Sequence, residues 1–358
     1  MHTRHEMRRH LQTTRNRQRG LSLVELMIAL TLSLILLAGV IQVMSSSKQS
    51  YILEDGMSRM QENARYALDR IARDLSMAGY MGCVESDYVE NKGTAKRYNL
   101  VNVLTNRGTG SRWDFFNAIT GGDDATDYNG GAVPNTDYLV IRRTAGDGGI
   151  RVVQRMSGPT DDIVIDGKDL RAKNIDQYDV IAIGDCSGMS VFMVTNQPAY
   201  DGVKNVVLKH ELGVTAPTSH PYNPGQSNAS TDLQAVYGGD VGSQARVYTV
   251  FSNTYFVAPT LESGATGNSL FVNARAANNE LVQDVVDFQI AYGIDTDSNL
   301  GVDRYVTATE IENTSGLDWN DVQTVQFTLT LAVPGTNNVQ NQTFSRTVRI
   351  RNRGERPS

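Results

Sequence analysis

The opening 80 residues carry two hydrophobic patterns in succession. Between Leu26 and Ser47 no side chain is charged, and most are aliphatic. A helix over these positions rises about 33 Å, which is enough to cross a hydrocarbon core about 30 Å thick. The run is too long for the apolar core of a cleaved secretory signal, which is about 7 to 15 residues. It therefore predicts a membrane-spanning helix.

Beyond this run, apolar residues recur at steps of three and four, as on the buried face of an amphipathic helix. The apolar stripe consists of Ile52, Met57, Met60, Ala64, Ala67, Leu68, Ile71, Leu75 and Ala78. The positions predicted to face away from the stripe include Glu62, Arg65, Asp69, Arg70, Arg73 and Asp74. Gly79 follows as a C-cap. We therefore expect one helix from Leu21 to Ala78, spanning lipid in its first half and packing on protein in its second.

After Gly79 the hydrophobic period changes to two, which is typical of antiparallel strands with one buried face. The clearest alternation is Val325, Phe327, Leu329, Leu331 and Val333, and similar patterns occur at 286–292 and 348–350. Further strands are expected at 138–142, 203–209 and 246–257, and at 178–183 and 189–192, where continuous apolar runs predict burial of both faces. Long polar stretches at 105–135, 213–242 and 259–267 predict loop insertions. The sequence thus predicts an α+β fold, with a long N-terminal helix packed on an antiparallel sheet.

Charge is distributed unevenly along the chain. Residues 1–20 contain six Arg and one Glu, whereas the whole chain has a formal net charge of −6, so the part after residue 20 is near −11. By the positive-inside rule, the basic head stays in the cytoplasm and the body lies on the other side of the membrane. An acidic body disfavours nucleic acid as the main ligand, although Arg346, Arg349, Arg351 and Arg353 form a local basic cluster.

A single carboxylate interrupts the start of the apolar run. Glu25 lies five residues after Gly20, and an acid in hydrocarbon costs about 2.5 to 3.5 kcal/mol on insertion scales. Such a group needs a partner with opposite charge or a position at headgroup depth. Both interpretations remain open from spacing alone.

The residues Arg-Gly-Leu-Ser-Leu-Val-Glu-Leu-Met-Ile at 19–28 resemble the cleavage region of type IV prepilins. The resemblance implies that prepilin peptidase cuts after Gly20 and methylates Leu21 as the new N-terminus. It also implies that Glu25 pairs with the N-terminal ammonium of a neighbouring subunit. Leu21 stands where phenylalanine or methionine is commoner, and Gln42 stands where many major pilins have proline.

Short strings in the body extend this resemblance to the PilW-type minor pilins. They lie at 185–187, 292–297, 318–319 and 349–353. The resemblance implies a leader at 1–20, an assembly helix at 21–80 and a periplasmic β-rich domain at 81–358, with a type IV pilin-like fold. It also implies a non-enzymatic subunit of the inner membrane and then of the surface pilus.

The same resemblance implies partners and biological roles. Such subunits form a tip or priming complex with other minor pilins, the major pilin and a tip adhesin, and they support twitching motility, adhesion or DNA uptake. A minor pseudopilin of a type II secretion system is an alternative, since it shares the leader and the helix. A membrane-anchored periplasmic binding or adhesive module is another alternative.

The chain contains two cysteines, Cys83 and Cys186, both beyond the membrane run. Thiols outside the cytoplasm tend to pair because that compartment is oxidising. A disulfide here is therefore expected, with two buried reduced thiols as the alternative, because sequence does not supply the separation that a bridge requires.

A cluster of oxygen-bearing side chains follows the pattern at 286–292. Asp295, Asp297, Asn299 and Asp303 occupy positions one, three, five and nine of a calcium-type loop. Leu300 stands where an EF-hand needs glycine, and Val306 stands at its twelfth position. A Ca²⁺ site and an Asx-rich turn without an ion both remain open.

The sequence favours no enzymatic function. It lacks G-x-S-x-G, H-E-x-x-H, paired C-x-x-C and Walker motifs. Three of the five histidines lie in the basic head, and His210, beside Glu211, is expected at a solvated strand end. We expect a protein that acts by interaction.

Overall fold

The computed structural model describes residues 20, 22–84, 100–108, 111–128, 131–221, 223–238, 244–261, 267–274, 277–297, 301–333 and 341–352. The chain forms two compact units, Met1–Asp55 and Gly56–Ser358. A long apolar helix is followed by a domain rich in β-strands. The predicted α+β fold is therefore confirmed.

Helix α1 runs from Leu23 to Ser76, close to the bounds that the sequence predicted. In the first unit its described side chains are exposed, apart from Leu53, which is partly buried. The helix is long and apolar enough to cross a membrane, by length and composition. This part of α1 gains no stability from packing within the described chain, so its apolar surface requires lipid or other helices.

In the second unit, α1 buries most of the predicted stripe from Met60 onward, but the prediction was wrong at Met57, which is 36% exposed, and at Ile52 of the first unit, which is 38% exposed. Its buried residues include Gly56, Met60, Ala64, Ala67, Ile71 and Leu75. The helix ends in a turn at 77–79, where Gly79 takes φ = 73° and donates its N–H to the carbonyl of Arg142 at 2.9 Å. A Cβ at Gly79 would lie 3.0 Å from Cβ of Ala118, so the backbone conformation and the close packing both require glycine here.

The remaining elements include fifteen named strands and the short helix α2 (Ala308–Asn313). In chain order the strands are β1 (Leu100–Asn102), β2 (Ile119–Gly122), β3 (Tyr138–Thr144), β4 (Ile150–Arg151), β5 (Ile163–Ile165), β6 (Val180–Asp185), β7 (Gly188–Met193), β8 (Val206–Leu208), β9 (Arg246–Pro259), β10 (Asn268–Ala274), β11 (Ala277–Val282), β12 (Val285–Ile294), β13 (Arg304–Val306), β14 (Val322–Ala332) and β15 (Asn341–Arg349). Strand β8 is shorter than the predicted 203–209.

Within the described residues, the largest sheet has nine strands with β9 as its centre. Along its 14 residues, β9 pairs with β4 and β6 near its start and with β3 and β10 further along. Strands β6 and β7 bury both faces, as their continuous apolar runs predicted. Ile181 and Ile183 lie in one hydrophobic cluster, and Val180 and Ala182 lie in another.

The second sheet has four strands within the described residues, in the order β13-β12-β14-β15. Strand β14 alternates buried and partly exposed positions, as predicted. The prediction for β12 was wrong at one position, because Val286 is 40% exposed and Val285 is buried instead. The β12–β14 register shifts between Val285 and Asp287, and this irregularity exchanges the buried and exposed faces at the start of β12.

The stretch at 105–135 is not the plain loop that its polarity predicted, since it contains β2 and a 3₁₀ helix at Ala125–Asp127. Fully buried Arg142 organises it. The guanidinium donates to the carbonyls of Ser111, Arg112 and Asn117 at 2.6 to 3.1 Å, and to the hydroxyl of Thr120 at 3.0 Å. Burial lowers the pKa of Arg142 to about 10, so the group remains charged at neutral pH.

Candidate assembly helix and its anchor

Ser22 begins the helix. Its Oγ accepts a hydrogen bond from the N–H of Glu25 at 3.1 Å, and its carbonyl accepts from the N–H of Leu26 at 3.1 Å. Ser22 is therefore the N-cap of α1, and Glu25 is the third residue of its first turn. This role of Ser22 was not predicted from the sequence, although Ser-x-x-Glu before an apolar run is the signature of a capping box.

Glu25 and Gly20 are both exposed, and Leu21 lies outside the described residues. The first turn of a helix favours a carboxylate because its free N–H groups carry partial positive charge. A Cβ added at Gly20 would meet nothing within 4 Å. Packing within the described chain therefore does not require glycine at position 20. A requirement for glycine there would have to come from another molecule or from residues outside the described part.

The apolar residues of the first unit form a continuous exposed surface. The large ones are Leu23, Val24, Leu26, Met27, Ile28, Leu30, Leu32, Leu34, Ile35, Leu36, Leu37, Val40, Ile41, Val43 and Met44, each at least half exposed. Burying a side chain of this kind is worth about 1.5 to 3 kcal/mol. A surface of this composition fits a bilayer or a bundle of similar helices.

Asp74 anchors the second part of α1 to the body. Asp74 was predicted to lie on the exposed face, and this prediction was wrong, because the residue is only 4% exposed. Its Oδ2 accepts from the hydroxyl of Tyr255 at 2.6 Å and from Nδ2 of Asn253 at 2.7 Å, both on β9. Arg143 of β3 lies 3.5 Å from Oδ1, and Arg70 lies 3.9 Å from Oδ2. This acid is buried because its partners satisfy it.

The partners of Asp74 respond to its charge. Burial, and then the neighbouring carboxylate, raise the pKa of Tyr255, so its hydroxyl stays protonated and remains a donor. Further contacts extend along the helix, since Asp69 pairs with Arg346 of β15 and Nδ2 of Asn352 donates to the carbonyl of Ala78 at 3.2 Å. Within the second unit, α1 is thus tied to both large sheets.

A disulfide joins Cys83 to Cys186, with a Cα–Cα distance of 4.8 Å. The alternative of two reduced thiols is therefore wrong. The bond connects the segment after α1 to the turn between β6 and β7, and it spans 103 residues of sequence. In the chain-entropy model a loop of about 100 residues corresponds to about 4.7 kcal/mol of stabilisation.

The acidic loop brings three predicted ligands together. Carboxylate oxygens of Asp295, Asp297 and Asp303 lie within 4.8 Å of one another, and Asn299 lies outside the described residues. Asp303 accepts from the N–H and the hydroxyl of Thr296 at 2.6 and 2.7 Å, which lowers its pKa. The donor set is suited to Ca²⁺, whereas the bonds to Thr296 satisfy one carboxylate within the loop itself, as in a loop without an ion.

His210 was predicted to lie at a solvated strand end, and this prediction was wrong. It is 2% exposed, its Nε2 lies 2.9 Å from the carbonyl of Asp161, and its ring packs 5.4 Å from that of Phe192. The apolar strand before it carries the imidazole into the core. These contacts give His210 a packing role.

Comparison with known families identifies two segments. The model of the prokaryotic N-terminal methylation motif matches residues 15–41, and the model of the type IV pilus-assembly protein W (PilW) matches residues 247–348. No curated protein and no solved structure gives a significant match. The first segment includes Gly20, Glu25 and the apolar part of α1, and the second reaches from β9 into β15. The resemblance to PilW-type pilins with a prepilin leader is therefore confirmed.

The Asp74 anchor yields a stability prediction. Asp74→Ala should lower the free energy of unfolding by about 2 to 4 kcal/mol, because the buried donors of Tyr255 and Asn253 lose their acceptor. Asp74→Asn should cost less, since one amide oxygen can still accept both hydrogen bonds. Guanidinium unfolding of the full-length chain in detergent micelles, followed by Trp fluorescence, measures both.

Asp69→Ala is the matched control for the anchor, on the same helix. Its pair with Arg346 is partly exposed, so its removal should change stability little. Equal losses for Asp69→Ala and Asp74→Ala would show that burial of Asp74 is not the anchoring interaction.

Added calcium distinguishes the two interpretations of the acidic loop, a Ca²⁺ site and a turn without an ion. If the carboxylates bind Ca²⁺, CaCl₂ should raise the Tm of the chain relative to EDTA, and Asp297→Ala should abolish the rise. Asp162→Ala, which changes an exposed acid elsewhere, should leave the rise intact. Equal Tm values in CaCl₂ and EDTA for the unaltered chain would identify the loop as a turn.

Proposed function

We propose that this chain is a minor pilin of a type IV pilus. One combination supports the proposal most strongly. A methylation motif overlaps the start of a 54-residue helix, and the body behind that helix carries the PilW match. The helix supplies an element for insertion and assembly, and the body supplies a folded surface.

Processing is the first step of the proposed function. Prepilin peptidase would cut after Gly20 and methylate Leu21. Gly20 and Ser22 both lie outside α1, which leaves the cleavage site beside the helix start. The new ammonium would then precede the N-cap Ser22, where the helix dipole alone would disfavour a positive charge. A nearby carboxylate compensates for this, and Glu25 of a neighbouring subunit would supply it.

Assembly is the second step. The exposed apolar surface of α1 would pack against the helices of neighbouring subunits once it leaves the lipid. Glu25 would pair with the Leu21 ammonium of a neighbour and so fix the axial register, because an unpaired charge in that environment is costly. The mechanism is interaction, without a catalytic step.

The compartment follows from charge and redox state. The basic head would stay in the cytoplasm, α1 would cross the inner membrane, and the body would lie in the periplasm before it reaches the cell surface. The Cys83–Cys186 bridge supports an oxidising compartment for the body. Proposed partners are prepilin peptidase, other minor pilins, the major pilin and a tip adhesin, in a priming complex that serves twitching, adhesion or DNA uptake.

Two alternative functions predict different properties of the chain. A type II secretion pseudopilin would share the leader and helix, but the PilW match over β9 to β15 favours the pilus. A membrane-anchored binding module would keep its leader and would tolerate loss of Glu25, since a plain anchor gains from losing a carboxylate.

The charge of Glu25 tests the proposed function. In cells expressing Glu25→Ala, the subunit should reach the membrane at its normal level but be at least about tenfold depleted from sheared pili, because the paired charge of the fibre is lost. Immunoblots of membrane and pilus fractions, together with twitching zones, provide the measurement.

Ser33→Ala is the control on the same apolar surface. The hydroxyl of Ser33 donates to the carbonyl of Ala29 at 2.7 Å inside its own helix and carries no charge, so this variant should assemble normally. Normal incorporation and twitching in Glu25→Ala cells would contradict the proposal and favour the anchored module.

A further inference from the structure

Asp137 joins the two large sheets of the second unit. It immediately precedes β3 of the nine-stranded sheet and contacts the edge of β12 in the four-stranded sheet. Its N–H donates to the carbonyl of Phe288 at 2.8 Å, and its Oδ2 accepts from the N–H of Ile290 at 2.6 Å. Strand β13 pairs with β12 only at Tyr292–Ile294. At Phe288 and Ile290, where β12 has no partner from β13, Asp137 thus forms the hydrogen bonds that a neighbouring strand would form.

Three further hydrogen bonds cross the same junction. Oδ1 and Oδ2 of Asp123, which follows β2, accept from the N–H groups of Ala308 and Thr309 at 2.9 and 3.1 Å, in the first turn of α2. Nε2 of Gln289 donates to the carbonyl of Asn135 at 3.0 Å. We call this region, formed by Asp123 and Asp137 on one side and β12 with α2 on the other, the sheet junction.

The surroundings of Asp137 disfavour its charge. Asp137 is 4% exposed, and the charged groups that face it are the carboxylates of Asp123 and Asp287. Burial first, and then these acids, raise the pKa of Asp137 to about 7, although the Ile290 N–H acts in the opposite direction. At pH 5 to 6 the buried carboxyl is therefore mainly protonated, unlike a solvated aspartate.

Tyr292 places a buried hydroxyl group beside the junction. It is 1% exposed, and its hydroxyl has no hydrogen-bond partner among the described residues. Its ring packs edge-on against Trp319 at 4.8 Å, and the titratable groups around it are Asp137, Asp123, Tyr138 and Glu312. A Cβ at Gly121 would lie 2.1 Å from this hydroxyl. β2 therefore packs closely over the Tyr292 hydroxyl.

We propose that the sheet junction is a pH-sensitive latch, closed while Asp137 is protonated and opened locally once Asp137 carries a charge. The physical reason is hydration. An ionised carboxylate that is buried between two other acids gains solvation when Asp137 separates from β12. Opening would release the N–H of Ile290 and the carbonyl of Phe288 as free strand-edge groups. The latch lies within the second unit and acts whether or not the chain enters a fibre.

The direction of the pH effect follows from linkage. The group binds its proton more tightly in the closed junction than in water, so the closed state loses relative stability as pH rises from about 4 to about 7. Below this window the carboxyl is protonated in both states, and above it the carboxyl is ionised in both. The opening equilibrium should therefore rise by up to about tenfold per pH unit within the window and level off above it.

Amide hydrogen exchange of the full-length chain in detergent micelles tests the latch. Exchange is followed by mass spectrometry at pH 5, 6, 7 and 8 and corrected for the intrinsic rate at each pH. Protection in peptides covering 285–292 should fall by up to about tenfold per pH unit from pH 5 to 7 and then level off. Peptides from β6 and β7 should change little, which separates local opening from global unfolding.

Asp137→Asn keeps an oxygen acceptor for Ile290 but cannot ionise, so its protection at 285–292 should not depend on pH. The exposed control Asp162→Asn should behave like the unaltered chain. Constant protection at 285–292 in the unaltered chain would overturn the proposal, as would an equal pH dependence in Asp137→Asn. Should Asp137→Asn fail to fold, the profile of the unaltered chain still decides, because protection at 285–292 that stays constant between pH 5 and pH 8 contradicts the latch.

Discussion

A single helix, α1, has to satisfy two different surroundings, and the rest of the structure depends on how it does so. Its first part carries large aliphatic side chains that find no cover in the described chain. Its second part carries small buried residues such as Gly56, Ala64 and Ala67, which allow close approach to the body. Apolar packing alone is non-directional, and Asp74 supplies direction through hydrogen bonds to two side chains of β9.

These ties give the proposed function a structural basis. Asp74, the hydrogen bond from Asn352 to Ala78 and the Cys83–Cys186 bridge all attach α1 or the segment after it to the β-rich body. Several attachments on different strands resist local opening better than one. In a fibre built from packed helices, the position of the second part of α1 would then determine where the body lies. A minor pilin needs this property if its body is to contact particular neighbours.

Regular patterns in the sequence predicted the repeating parts of the fold. The apolar stripe of α1, the alternation of β14 and the continuous apolar runs of β6 and β7 each follow the period of one element, so local sequence contains them. Asp74 and Arg142 were not predictable in this way. The partners of Asp74 lie 179 and 181 residues away, and Arg142 binds mainly carbonyls, which every residue has. The irregular register at Val285 and Asp287 likewise depends on the neighbouring strand.

Mass spectrometry of the protein's N-terminus, from membranes of cells with and without prepilin peptidase, tests the central claim most directly. The family matches and the apolar helix predict a chain that begins at methylated Leu21 in normal cells and retains its leader when the peptidase is absent. An intact leader in both strains would contradict a pilin and leave an anchored periplasmic domain.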